Sequence, residues 1–218
     1  MENKSCIIVG GGYSILDGIN LGLWSKIKGQ DIWSINYAWK TMPYLPSREV
    51  FLDVSFYKNN TPDLQKLFSQ GVPIHTKKHN TYAFNNDIIK YETTRLKEQI
   101  ESKVFIGLMG LSGVFALSLA CRENFEQIFL LGYDFGSVTN DIKTHYYQYT
   151  NHFDSGGVGQ PGVYSTDGKI KPEVKDFDIY ERIYPNCKIY NVSPLSKIPY
   201  FEKISYQDLF SIYYRKEL

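Results

Sequence analysis

The side chains in this sequence that can do chemistry cluster at the ends of apolar runs. Gly10-Gly11-Gly12 follows SCIIV, with Ser14 two residues further on. Consecutive glycines let backbone amides approach an anionic group, and a helix opening behind them favours negative charge, so the stretch reads as a phosphate-binding turn. The same glycines suit a plain strand-to-helix turn. Asn36 follows IWSI, where its amide reads a base or ribose, or else merely turns the chain. Asp53 and Asp134 end two further runs, and Ser112-Gly113 opens an apolar stretch where Ser112 can cap a helix. In the segment THYYQYTNH, His145 and His152 carry the only side-chain type that titrates near neutrality unaided. His145 is the preferred general base, with Asp134 at the nearby strand tip, Tyr146, Tyr147 and Tyr149 as hydroxyl donors, and an ordinary surface role as the competing reading. His75 and His79 flank Lys77 and Lys78 in a polar segment without a completing carboxylate or cysteine, and read as a solvated loop rather than a metal site.

These residues need a frame, and the apolar pattern supplies one. Val104 to Gly136 reads as strand (VFIGL), glycine-containing turn, helix and strand (QIFLLGYDF), a βαβ unit at the centre of a parallel sheet whose strands are covered on both faces. Further strands are expected over Ser5–Val9, Ile32–Ile35, Arg48–Asp53, Val72–His75 and Lys188–Val192. Helices are expected after Ser14, broken or ended by Gly18, Gly22 and Gly29; from cap Thr61 through Pro62 to the stop at Gly71; over Ile88–Ile100; and over Pro172–Tyr184. Ser193 and Ser196 follow the last strand, to bind phosphate oxygens or to cap a short helix. The segment 137–171, rich in Gly, Tyr, Asn, Asp and His, is expected to be a lid. The fold class is therefore α/β: a mostly parallel, modified Rossmann-like sheet with helices on both faces, in one domain spanning 1–218.

Composition narrows the partners. The chain has 218 residues, 43% of them hydrophobic, enough for one large core. A net charge of +1 with no basic stripe argues against tight duplex binding. Three cysteines, far apart in sequence and set in apolar patterns, read as reduced core thiols of a cytoplasmic protein. The uncharged run Val104 to Cys121 has the length of a membrane span, but its glycines and the strand that follows at once speak against one.

The segments IIVGGGYSI, SINYAW, SGVFALSLACRENFEQIFLLGYDF and KIYNVSPLSKIPYF, in that order, resemble one superfamily. It is shared by the bacterial lipooligosaccharide sialyltransferases of glycosyltransferase family 42 and the 6-hydroxymethylpterin diphosphokinase-like proteins, and includes short phage-encoded members. The resemblance implies a nucleotide lying across the strand ends, contacted by Gly10 to Ser14 and by Asn36, with Ser112, Gly113 and Asp134 completing its site. The chain departs from the sialyltransferase pattern in three places. Its first loop has only glycines where they carry an asparagine, Gly136 stands where they have a tyrosine, and Tyr164 to Asp167 includes no histidine.

The resulting expectation is a transferase using a nucleotide or nucleotide-sugar, most simply a metal-independent glycosyltransferase with His145 as base and Tyr146 as donor. No cofactor is firmly implied. The alternatives are pyrophosphoryl transfer from ATP, with Asp53 and Asp134 holding Mg²⁺, and a ligand-binding module without turnover, in a bacterium or phage-infected cell. The acceptor is left open among a glycan, a small molecule and a modified DNA base, and a homo-oligomer is compatible with all three readings.

Overall fold

The computed structural model describes residues 4–78, 88–94, 97–102, 106–107, 111–135 and 177–214. Eight strands form one sheet: β1 (Ser5–Val9), β2 (Ile32–Ile35), β3 (Arg48–Val50), β4 (Ile74–Lys77), β5 (Ile88–Tyr91), β8 (Gln127–Leu131), β9 (Lys188–Asn191) and β10 (Glu202–Lys203). Their order is β10-β9-β8-β1-β2-β3-β4-β5, and every neighbouring pair is parallel. A small second sheet pairs β6 (Thr93–Thr94) with β7 (Ile106–Gly107). The architecture is Rossmann-like α/β, as the apolar runs require.

Both faces of the sheet are covered, which is why its central strands carry no polar alternation. On one face lies α5 (Ser112–Arg122), in which Ser112 and every residue from Val114 to Cys121 are buried. On the other lie α1 (Ile15–Asn20), α2 (Leu23–Lys26) and α7 (Tyr206–Tyr214), packed on Ile7, Val9, Phe129 and Leu131. Full burial of a side chain such as Phe115 or Leu117 contributes roughly 1.5–3 kcal/mol, so α5 is a principal source of the core's stability. The expected break near Gly22 is real: Gly22 adopts φ 79° and separates α1 from α2.

Several expectations need correcting. VFIGL does not sit beside β8; its described part, β7, belongs to the small sheet, because β1 and β9 already occupy both sides of β8. The strand expected to reach Asp53 ends at Val50, and Asp53 instead caps α3 (Val54–Ser69). Pro62 therefore lies inside a helix rather than at its start. Around it, the side chains of Asn60 and Thr61 donate to the carbonyls of Phe56 and Tyr57 at 2.7 and 2.8 Å. The helix expected over Ile88–Ile100 is β5, β6 and only a short α4 (Lys97–Glu101), since Ile88 and Ile89 pair with Ile74 and His75. His75 is not in a solvated loop: it lies in β4, buried, with Nδ1 3.1 Å from the Tyr91 hydroxyl. Pro172–Tyr184 contributes α6 (Asp178–Ile183) within its described part. No helix among the described residues is long and apolar enough to cross a membrane.

Candidate functional site

The strands run outward from β1 in two directions, through β2 to β5 on one side and β8 to β10 on the other, so the strand order reverses between β1 and β8. In open parallel sheets, ligands bind beyond the carboxyl ends of strands at such a reversal. Here the reversal point itself is sewn shut. Gly10 N–H donates to Leu131 O and Gly12 N–H to Gly132 O, each at 2.8 Å. A Cβ on Gly12 would stand 2.5 Å from Gly132 O and 2.7 Å from the Asp134 carboxylate, so glycine is required there by the neighbouring loop. Two of the three glycine amides are thus spent on protein carbonyls. Gly11 N–H has no partner among the described residues and remains the glycine amide that can meet a ligand.

Asp134 takes part in the same closure. It is 3% exposed, and Ser14 donates its N–H to Oδ2 at 2.7 Å and its hydroxyl to Oδ1. The carboxylate therefore anchors the start of α1, and Lys197 N–H donates to the Asp134 carbonyl at 2.8 Å. Asp53 lies elsewhere on the same edge, exposed at the cap of α3. Each Asp134 carboxylate oxygen accepts a hydrogen bond from Ser14, and the described residues contain no group of three metal-ligating side chains.

Beside this closure the edge continues above β2. Register pairs Val9 with Ser34, so Gly11 and Asn36 leave adjacent strands at the same level. Asn36 has φ 54°, a left-handed conformation that asparagine tolerates, and its N–H donates to Val50 O at 3.1 Å. Its side-chain Oδ1 comes 3.5 Å from Ser112 Oγ at the first turn of α5. That helix has Leu111 in extended conformation at its cap and no side-chain cap bond among the described residues. Asn36, Ser112 and Gly113 thus meet at the positive end of a buried helix, with Gly11 at the tip of the adjacent strand.

Other residues hold this edge in shape. The Tyr133 hydroxyl donates to Gly113 O at 3.0 Å, while Tyr133 O accepts from Ser196 Oγ at 2.7 Å and from Asn191 Nδ2 at 3.3 Å. Ser196 is thus a buried structural clamp, and Ser193 is buried as well. Beneath Asn36, Glu49 is fully buried against Ser34; burial pushes its carboxyl well above the usual range, while the Ser34 bond and the Asn36 amide pull the other way. Tyr133, Asn191, Ser34 and Glu49 were not singled out from sequence. A glutamate inside a strand run was the one available signal, since an acid there needs a partner. His145, His152, Tyr146 and the expected lid 137–171 lie outside the described residues.

No protein-family model and no curated protein match the chain. Among solved structures it is similar to the sialyltransferase CstII from Campylobacter jejuni in complex with the substrate analogue CMP-3FNeuAc. The TM-score is 0.53 at 18% identity, covering 93% of this chain and 86% of that one. It is also similar to the monofunctional α-2,3-sialyltransferase Cst-I from Campylobacter jejuni, with a TM-score of 0.57 and 17% identity over 92% and 81% of the two chains. The likeness is one of fold. At such identities it extends across nearly the whole chain without carrying a reaction with it.

Proposed function

We propose that the chain binds a nucleotide-sugar at the carboxyl edge above β2 and acts as a glycosyltransferase. The supporting observation is the meeting of Asn36 with Ser112 at the uncapped start of α5, in a fold shared with two sialyltransferases, one of them with a CMP-sugar analogue. In this reading the α5 amides and Gly11 N–H receive the phosphate, where developing charge on a departing nucleotide is stabilised without reorganisation. Asn36 reads the base or ribose. Asp134 and Ser14 act as positioning residues, fixing the loop that carries Gly11. His145 serves as base toward the acceptor hydroxyl and Tyr146 as hydroxyl donor to the leaving phosphate. The pyrophosphoryl-transfer alternative asks Asp53 and Asp134 to hold Mg²⁺, whereas in this reading Asp134 is engaged by Ser14 in positioning the glycine loop.

A thermal-shift screen of nucleotides and nucleotide-sugars tests the binding step, since a ligand at 100 times its dissociation constant adds roughly 2.7 kcal/mol. A cytidine or other nucleotide raises the melting temperature, and Asn36→Asp lowers its affinity by about tenfold or more. No shift with any nucleotide would remove the proposal. With a donor in hand, His145→Ala abolishes transfer while leaving donor binding intact; unchanged turnover would transfer the role to another group.

A further inference from the structure

We propose that Tyr133 is a positioning residue for the nucleotide phosphate: with Gly113 as its partner, it sets where the first turn of α5 stands. The consequence for binding rests on the function proposed above, whereas the hold on α5 is a property of the free protein. Tyr133 lies two residues beyond β8, at the point where the strand order reverses. Its hydroxyl donates to Gly113 O at 3.0 Å, next to Ser112, whose Oγ comes 3.5 Å from Asn36 Oδ1.

The two residues are matched. A Cβ on residue 113 would stand 3.0 Å from Tyr133 Cε1 and 3.3 Å from the hydroxyl oxygen, so a side chain there presses on the ring. Glycine is a poor residue inside a helix, and the close approach of the tyrosine accounts for it. The ring is held in turn by Phe177 and Phe135, with centroids 6.4 and 6.0 Å away. Phe135 makes its contact at φ 49°, a left-handed conformation uncommon for an aromatic residue. Backbone strain of that kind gathers where position matters to function. Burial pushes the phenol well above its usual value of 10, so the hydroxyl keeps its proton and stays a donor at working pH.

Tyr133 and Asp134 together reach helix starts on both faces of the sheet, since successive residues of a strand point to opposite sides. Tyr133 packs on the α5 side, while Asp134 receives the N–H and hydroxyl of Ser14 at the start of α1 on the other. One strand tip thus ties the loop carrying Gly11 to the first turn of α5. The tip is itself anchored, because the Tyr133 carbonyl accepts from Ser196 Oγ and Asn191 Nδ2. A phosphate that accepts from both the Gly11 N–H and the α5 amides needs them a set distance apart, because such bonds are good only over about 2.7–3.2 Å. The base and ribose, read by Asn36, do not span that gap.

The test compares the wild-type full chain with Tyr133→Phe, which deletes the hydroxyl and keeps the ring, and with Gly113→Ala, which keeps the hydroxyl and pushes the ring. In the free protein, the Asn36 side-chain amide signals, which meet α5 through Ser112, shift in both variants. In NMR titrations, which reach weak affinities, Tyr133→Phe weakens CMP about tenfold and its phosphate-free counterpart cytidine far less. The AMP–adenosine and UMP–uridine pairs are titrated alongside. A lower melting temperature with the nucleotide-to-nucleoside ratio unchanged would make the hydroxyl merely structural and overturn the proposal. So would Asn36 signals unmoved in both variants, or undiminished binding of a nucleotide that the wild type takes. If the wild type binds no nucleotide while the Asn36 signals move, the function proposed above falls and the hold of Tyr133 on α5 stands.

Discussion

Replacing Glu49 by glutamine should stabilise the protein, and increasingly so as the pH rises. Ser34 Oγ has one proton but faces two acceptors, Arg48 O at 3.3 Å and Glu49 Oε2. The network closes if Glu49 keeps its proton and donates it to Ser34, which passes its own to Arg48. Because burial raises the carboxyl from its ordinary 4.5, folding above that pH takes up a proton. Its contribution is full below about pH 4.5 and declines as pH rises toward the folded value, at about 1.4 kcal/mol per unit. His75 has the opposite sign, its imidazole being lowered from 6.5 to about 4, so it adds stability as pH rises between those values and nothing further above them. The remaining titrating groups are common to both proteins, so the difference between Glu49→Gln and wild type isolates Glu49. Above about pH 4.5 the stability difference between Glu49→Gln and wild type should widen with pH, at about 1.4 kcal/mol per unit for as long as the folded carboxyl stays protonated. Urea unfolding at several pH values measures this directly. Parallel stability curves for the two proteins would refute the protonated, buried Glu49.

Gly12→Ala should cost at least roughly 1–3 kcal/mol, since its methyl meets Gly132 O and the Asp134 carboxylate inside contact distance; the denaturation midpoint reports it. Ser14→Ala removes hydroxyl donation to a buried carboxylate and should cost about 1.5–3 kcal/mol in the same assay, with Ser14→Thr recovering part of it. Cys6, Cys121 and Cys187 are all buried and free, so a thiol reagent should label them at the rate of unfolding rather than of encounter; fast labelling of native protein would contradict their packing.

The strands flanking β1 and the helix α5 were legible because burial on both faces leaves uninterrupted apolar runs that no loop would carry. Asn36 and Ser112 were legible for a related reason: each follows such a run, and polar residues at strand and helix ends meet on one edge. What local pattern could not supply was partnership across the chain. Ile88–Ile100 carries charges at helical spacing, yet pairing with β4 makes its first part a strand, an instance of tertiary contact overriding propensity. His75 looked solvated among lysines because Tyr91 and Arg48 approach it from other strands. The glycine triplet was read as a phosphate cradle, but two of its amides answer to carbonyls about 120 residues away.

The pairing of β1 with β8 also governs how the chain is made. Residues Ser5 to Val9 find their second neighbour only in Gln127 to Leu131. During synthesis, one flank of the earliest strand therefore stays bare until more than half the polypeptide has left the ribosome, exposing a greasy, unpaired border of the kind that invites aggregation. Refolding from denaturant should be slow for the same reason, with the late docking of that distant segment setting its pace.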